Sequence, residues 1–355
     1  MKTLFHCLPG GYNRCIVDLT QEGLEAWDVK LTEEENDSGE LVFTIADKNP
    51  EFNGIATMLS EIVIMDGERE CWRGRVTEQQ LVDFWQKSIT CKGLLDYLYD
   101  GLVMPQTFDG SAPAVLNEIV TLFNASTVDV QKHFVVGIIA GICDIVYEMK
   151  KPQKAWALLS SLLKEHGGSI RARRDGEINY IDWLAEGVEY RPVCSQQAVY
   201  GENLTSLKIS STGEDLATVL YGRGKNGLTF DVINEGKPYV IHEEAAAQFG
   251  HIEDVYELSE VEVAEDLLSA ATAELEERIS QVKTIEAGAI DLSTVDPAVE
   301  PFAVGAYVPL VSQVHEIDEL ALIKRIENPV FNPSKMEITL GASLAAASRI
   351  MRRSL

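Results

Sequence analysis

Apolar and polar positions alternate with period two through roughly the first hundred residues, the spacing of half-buried strands. Residues 27–31 (WDVKL) and 41–45 (LVFTI) are two such runs, separated by the acidic, turn-rich stretch 33–40. Residues 61–65, a turn at Asp66-Gly67 and residues 71–76 predict a hairpin, and residues 84–91 continue the meander. Several short strands at this spacing predict a small barrel or sandwich. Residues 93–98 (GLLDYL) leave it as a short helix.

The period then changes. Ser111 is placed to cap a helix with Pro113 in its first turn, and Val115, Leu116, Ile119, Val120 and Phe123 share one face. Pro152 opens a second helix with an Ala155, Trp156, Leu159, Leu162 and Leu163 stripe, stopped by Gly167-Gly168. Residues 167–184 (GGSIRARRDGEINYIDWL) then read as a helix stop, a strand, a two-residue turn and a second strand. Asp175-Gly176 predicts a type I′ turn, which needs positive φ at both central positions. From residue 199 the strand pattern returns at 205–210, 217–221, 229–232 and 239–242. Ser259 and Glu262 fit a capping box ahead of a strongly acidic helix reaching about residue 279. Strand-like runs resume at 283–291, 306–312, 320–327 and 336–340, before a tail whose Arg349, Arg352 and Arg353 predict an exposed basic helix or frayed end.

This pattern predicts a β-rich α+β chain. Barrel-like β domains at 1–98 and 198–341 flank an α+β domain at 99–197, with a helical insertion at about 243–282 and a C-terminal tail at 342–355. No short-period repeat is visible, so the two β-rich regions are at most distant copies of one unit.

Composition narrows the function classes. With 46% hydrophobic and 24% charged residues, the chain reads as an ordinary soluble globular protein, long enough for roughly two to four domains. Its longest apolar run, 134–146, falls short of the roughly 20 residues of a membrane span, carries Asp144 and is broken by Gly137 and Gly141. Residues 1–14 lack the apolar core of a secretory signal, so synthesis and assembly in the cytosol are expected. Cys7, Cys15, Cys71, Cys91, Cys143 and Cys194 form no C-x-x-C pair and predict buried thiols, without a metal site. The net charge of −26 argues against stable nucleic-acid binding, which relies on Lys and Arg neutralising phosphates. It fits either plain solubility or a surface that must not retain DNA, such as a channel wall.

Candidate chemistry is sparse. Residues 222–227 match G-x-G-x-x-G, but the dinucleotide motif needs a helix opening on it, and the LTFDV that follows has a strand pattern, so a hairpin loop is expected. His242-Glu243 and His251 suggest a metalloprotease helix. Position 246 is Ala, however, and His251 lies nine residues on, about 180° around a helix, so the pair shares no metal. Ser161-Leu-Leu-Lys164 spells S-x-x-K without its S-D-N and K-T-G companions. His6, His133, His166 and His315 stand without a recognisable Cys or Ser nucleophile. Carboxylate pairs such as Glu243-Glu244 and Glu276-Glu277 are expected among 56 acidic residues and read as solvated faces. No catalytic, cofactor-binding or metal-ligating residue is therefore assigned, and no cofactor is expected.

Several stretches, in order, resemble one family. Residues 71–76 (CWRGRV) resemble its F-x-G-R-V strand, and 92–98 (KGLLDYL) its helix entry. The 167–184 hairpin follows, then 200–204 (YGENL), 289–292 (AIDL), 302–317 with His315-Glu316-Ile317 in place of an HGI turn, and 335–341 as the closing strand. The chain thus resembles bacteriophage tail hub proteins of the prophage endopeptidase tail, or minor structural, family, which are similar to contractile-phage baseplate hubs and to the N-terminal hub of tail-associated lysins.

The resemblance implies a homotrimer in which two barrel-like domains per subunit give a ring of pseudo-sixfold symmetry. The ring would meet the tail tube or distal tail protein above and a spike, fibre or lysin below, at the virion tail tip, with DNA passing through. Family members often carry a hydrolase in a long C-terminal extension. Here the chain ends at Leu355, soon after the closing strand, so no enzymatic role is expected. Two other classes compete: a tail-associated peptidoglycan hydrolase or endopeptidase with an unrecognised site, and a host-surface binding module. The low aromatic content, 8% with no evident exposed cluster, makes a sugar platform unattractive.

Overall fold

The structure is a computed structural model that describes residues 2–343 apart from 9–11, 212, 260, 282, 297 and 316. Arg349, Arg352 and Arg353 of the expected tail, and Glu316 of the expected turn, lie outside the described residues. The chain is 43% strand and 22% helix, a β-rich α+β fold as the sequence pattern predicts. It divides into two compact units. One comprises Met1–Thr205, Gly288–Asp318 and Ile323–Ile338; the other comprises Ser206–Ala287, Glu319–Leu322 and Thr339–Leu355.

The first unit opens with seven strands: β1 (Lys2–Leu8), β2 (Tyr12–Val17), β3 (Ala26–Glu34), β4 (Glu40–Ala46), β5 (Glu61–Asp66), β6 (Arg69–Leu81) and β7 (Gln86–Gly93). They form an antiparallel ladder in the order β3-β4-β7-β6-β5-β1-β2. Strict alternation puts Leu41, Phe43 and Ile45 of β4 in the core beside Ile62, Ile64, Val76 and Ile89, all essentially without solvent contact. No pairing among the described residues joins β2 back to β3, so in its hydrogen bonding this ladder is an open sheet. Sequence pattern missed β1 and β2 because β1 carries a polar His6 inward where an apolar residue is expected.

The middle of this unit holds β8 (Leu102–Val103), β9 (Gln106–Gly110), α1 (Ala112–Ser126), β10 (Phe134–Ala140), β11 (Ile145–Met149), β12 (Gln153–Lys154), α2 (Ala155–His166), β13 (Ser169–Asp175) and β14 (Ile178–Leu184). Both expected helices form with the expected faces inward, although Ser111 makes no side-chain cap bond and α2 starts three residues after Pro152. They share a core with the sheet β10-β14-β13, in which β10 and β14 are parallel.

The β13–β14 hairpin forms, but its turn is shifted by one residue. Asp175 pairs with Ile178, so the loop is Gly176-Glu177, with positive φ at Gly176 (+60°) alone. The β5–β6 hairpin repeats this: Asp66 pairs with Arg69, and Gly67 has φ +61°. Positive φ at only the first loop residue is the type II′ pattern, not the expected I′.

Later strands are β15 (Ala198–Val199), β16 (Leu204–Ser211), β17 (Val219–Arg223), β18 (Tyr239–Ile241), β19 (Glu253–Glu257), β20 (Lys283–Ala289), β21 (Tyr307–Ser312), β22 (Ile317–Pro329) and β23 (Glu337–Ser343), with helices α3 (Glu243–Phe249) and α4 (Ala264–Gln281). In the first unit β15 pairs with β21, and residues 325–329 of β22 pair with β3. In the second unit the sheet β18-β17-β19 is covered by α4 through Leu267, Ala271 and Leu275. The strand expected at 229–232 is a turn that drives Phe230 into this core. β19, between the two helices, was not anticipated, since EDVYE has too few apolar positions to read as a strand.

Candidate functional site

Arg171 and Arg173 lie on one face of β13, and their shared partner is Asp182 of β14. Asp182 is the cross-strand neighbour of Arg171 and is fully buried. Each arginine donates its Nε–H to Asp182 Oδ2, at 3.1 and 3.0 Å, and Oδ1 accepts the Ile138 amide at 2.8 Å. That amide is free for capture because the β10–β14 register shifts between Val136 and Ile139, the one-residue excess of a β-bulge. Gly137 is required there: a Cβ would stand 2.1 Å from Asp182 Oδ1. The Arg173 guanidinium also rests over the Tyr180 ring, 4.4 Å from its centroid.

A cleft of about 470 Å³ runs beside this strand, lined by residues 169–174, the 33–39 turn, the start of β6 and residues 301–304. On its acidic side Glu35 pairs with Arg191 at 2.5 Å and Lys324 at 2.6 Å, and Glu70 pairs with Arg73 at 2.7 Å. Half-buried Glu33 is pushed up to about 6 by burial, which Lys2 only partly offsets. Among the described residues, no ion pair joins the 33–37 carboxylates to Arg171, Arg173 or Arg174. A second cavity of about 410 Å³, lined by Pro192, Val193, Cys194 and Val299, shares Arg69, Pro301 and Ala303 with the first.

The structure corrects the expectation for two histidines, since His315 Nδ1 lies 2.7 Å from Ser312 Oγ and His6 also meets a serine. His6 is not isolated: its Nδ1 lies 2.7 Å from Glu51 Oε2 and its Nε2 lies 2.7 Å from Ser60 Oγ. A carboxylate only accepts, so Nδ1 carries a proton, and Nε2 faces the serine as in a hydrolase triad. Arg14 donates to the other oxygen of Glu51 at 2.9 Å. Burial, the largest single influence, raises the Glu51 carboxyl, but the bonds from His6 and Arg14 together hold it below its usual range. All three members are buried, and Ser60 Oγ already accepts the Ala56 amide at 2.9 Å. Neither described cavity reaches them. The arrangement pins the 47–60 loop to β1. Sequence reasoning missed it because 45 and 54 residues separate the partners.

The other candidates behave as structure. Gly222 lies within β17, and residues 225–227 form only a single 3-10 turn in the β17–β18 connection, with no α-helix opening on the motif. His242 caps α3, its Nδ1 accepting the Ala245 amide at 3.1 Å, while His251 is exposed beyond it. Ser161 donates to the Ala157 carbonyl within α2. No group of three potential ligands that could hold a metal occurs among the described residues, nor is any helix there long and apolar enough to cross a membrane.

Two surface expectations change. Only Cys91 is buried; Cys71 and Cys143 are exposed and the other three are half-buried, because most sit at strand positions that face outward. An exposed apolar cluster also exists. The β6–β7 connection presents Leu81, Val82, Phe84 and Trp85, with Phe84 87% and Trp85 65% exposed.

Residues 195–351 match the prophage endopeptidase tail family. A comparison with curated proteins finds no match. By fold, the chain is similar to the prophage tail protein gp18 from Listeria monocytogenes EGD-e, with 14% identity, TM-score 0.61, and coverage of 99% of this chain and 97% of that one. It is also similar to the tail protein from Neisseria meningitidis MC58, with 10% identity, TM-score 0.63 and 97% coverage of both chains. E. coli c3393, a type VI secretion system component with structural similarity to T4 tail proteins gp27 and gp5, matches at 11% identity and TM-score 0.52, over 88% of this chain and 72% of that one. At these identities the likeness is one of fold.

Proposed function

Proceeding from a chain with the fold of prophage tail proteins and a C-terminal part that matches the prophage endopeptidase tail family, we propose that it is a structural hub of a phage or prophage tail tip. Three copies form a ring that ends the tail tube. The ring joins a tube or distal tail protein above to a spike, fibre or lysin below, after synthesis and assembly in the bacterial cytoplasm. Two barrel-like domains per copy, at 1–98 and 198–341, would give it pseudo-sixfold symmetry, with the 99–197 domain between them.

The observation that carries this reading is coverage: the likeness in fold to tail proteins runs over 97–99% of the chain. The charge of −26 supports it, since an acidic lumen lets DNA pass without retention. Light scattering and negative-stain imaging test it. A mass three times 39.2 kDa and a ring-shaped particle are expected, and a monomer at high concentration would overturn it.

The Glu51–His6–Ser60 geometry is what favours a second reading, a peptidase or peptidoglycan hydrolase. Burial of Ser60 Oγ and its occupied acceptor site count against it, because a nucleophile must meet substrate. A cell-wall zymogram decides: clearing abolished by Ser60→Ala would establish the second reading.

A further inference from the structure

β13 is an edge strand. Among the described residues, in the sheet β10-β14-β13 it pairs with β14 alone. In a hairpin with a two-residue loop the closing pair, here Asp175 and Ile178, exchanges hydrogen bonds, and bonded and non-bonded pairs alternate from there. The main-chain groups of Arg171, Arg173 and Asp175 therefore face β14, and those of Ile170, Ala172 and Arg174 point outward. Asn36 covers one end of this edge: its Oδ1 accepts the Ile170 amide at 2.7 Å and its Nδ2 donates to the Gly168 carbonyl at 3.2 Å. Among the described residues, the outward groups of Ala172 and Arg174 have no such partner.

The cleft is lined by all six residues from 169 to 174, as a cavity must be when it follows a strand edge and not one of its faces. Asp182 occupies only the Nε–H of Arg171 and Arg173. Their side chains are 40% and 39% exposed, and the paired Nη groups of each guanidinium remain available to a further acceptor. Such a fork matches a carboxylate in bidentate geometry. Residues i and i+2 of a strand face the same way about 7 Å apart. A strand added alongside β13 with carboxylates at alternate positions would therefore set one opposite each arginine.

We infer that the outer edge of β13, with the Arg171 and Arg173 forks, is an inter-protomer docking edge that takes an extended acidic segment of a second copy of this chain by strand addition. Charge complementarity selects the occupant. The chain carries 56 acidic against 30 basic residues, so another copy brings mainly carboxylates to any contact. Copies of charge −26 repel one another, and the cleft as a whole is also lined by Glu33, Glu34, Glu35, Asp37 and Glu70. Close approach is nevertheless favoured at the β13 edge, where Arg171, Arg173 and Arg174 lie together and Arg171 and Arg173 share one carboxylate. The inference rests on the self-assembled ring proposed above and names one of its contacts.

Ala172→Pro tests it, because it deletes one outward N–H and no bond of the β13–β14 ladder. Arg69→Glu is the second variant: Arg69 is exposed, lines the cleft and lies outside the Asp182 cluster. For the full chain, the concentration of half-assembly is read by sedimentation, and folding by the tryptophan-fluorescence melt. Both variants should raise the half-assembly concentration at least about tenfold with the melt unchanged. Wild-type assembly by both would overturn the docking edge and leave the ring standing, whereas a monomeric wild type would overturn both. If Ala172→Pro melts early, Arg69→Glu decides alone, and wild-type assembly by that variant overturns the inference.

Discussion

Asp182→Ala is the most discriminating perturbation in the first unit, because one carboxylate there satisfies three donors. Removing it leaves the Ile138 amide unpaired beside a buried position, worth about 1–3 kcal/mol. Arg171 and Arg173 are partly solvated and turn to water, so each lost pair adds about 0–1 kcal/mol. The expected loss is about 1–5 kcal/mol. Gly137→Ala should cost about 1–3 kcal/mol in the native background, since its Cβ would meet Asp182 Oδ1 at 2.1 Å. In the Asp182→Ala background that collision is gone and the cost should fall below about 0.5 kcal/mol, a coupling of about 0.5 kcal/mol or more. Urea unfolding followed by tryptophan fluorescence suits the measurement, because Trp27, Trp72, Trp85, Trp156 and Trp183 all lie in this unit. An equal cost of Gly137→Ala in both backgrounds would refute the account of the bulge. A loss below about 1 kcal/mol for Asp182→Ala would refute the weight given to the carboxylate.

Ser60 should not react with a fluorophosphonate probe in the native protein, and covalent labelling there, detected by peptide mass spectrometry, would show that the buried triad is open to substrate. Glu51, held below its usual range, stabilises the fold above its unfolded value near 4.5 and loses that contribution as pH falls through its folded value, so Arg14→Ala should move the acid-unfolding midpoint to higher pH. Glu33 has the opposite sign. Raised to about 6, it makes the fold lose stability as pH climbs from about 4.5 to 6, so Glu33→Gln should gain about 1–2 kcal/mol at pH 7 and nothing at pH 4. Phe84→Ser and Trp85→Ser should leave unfolding within about 0.5 kcal/mol of the parent, and a loss above about 1 kcal/mol would mean that these side chains are packed.

Much of the fold was legible because its signals are local. The faces of α1 and α2 follow from a 3.6-residue period, and the buried positions of β4 from strict alternation. Where reading failed, a single residue broke the local rule. His6 placed a polar group where β1 should show an apolar one, and Phe230 filled a core from a turn. The turn error has a backbone cause: Asp-Gly is compatible with several registers, and the ladder takes the one that keeps Asp66 and Asp175 paired. The arginines of β13 were visible, but their partner was not. Arg171 and Asp182 are eleven residues apart and meet only when the hairpin register is known. The cleft belongs to the same class, since it gathers residues from five separate segments.

The ion pairs bear on the acidic-channel reading in a way that net charge does not. Within the first unit Arg14, Arg73, Arg75, Arg171, Arg173, Arg191 and Arg325 all pair with carboxylates of their own chain. Each such pair cancels one cation against one anion, so the excess of 26 negative charges stays whole while the guanidinium groups able to grip a phosphate become few. Nucleic-acid affinity depends on those available cations, because each neutralised phosphate releases counterions. Asp182 sharpens the point, as a single buried carboxylate engages two arginines and leaves one positive charge uncompensated beside the β13 edge. That local excess is too small to hold a duplex and suits a protein carboxylate. The same arithmetic therefore directs this cation cluster toward a protein partner, as the proposed docking edge requires.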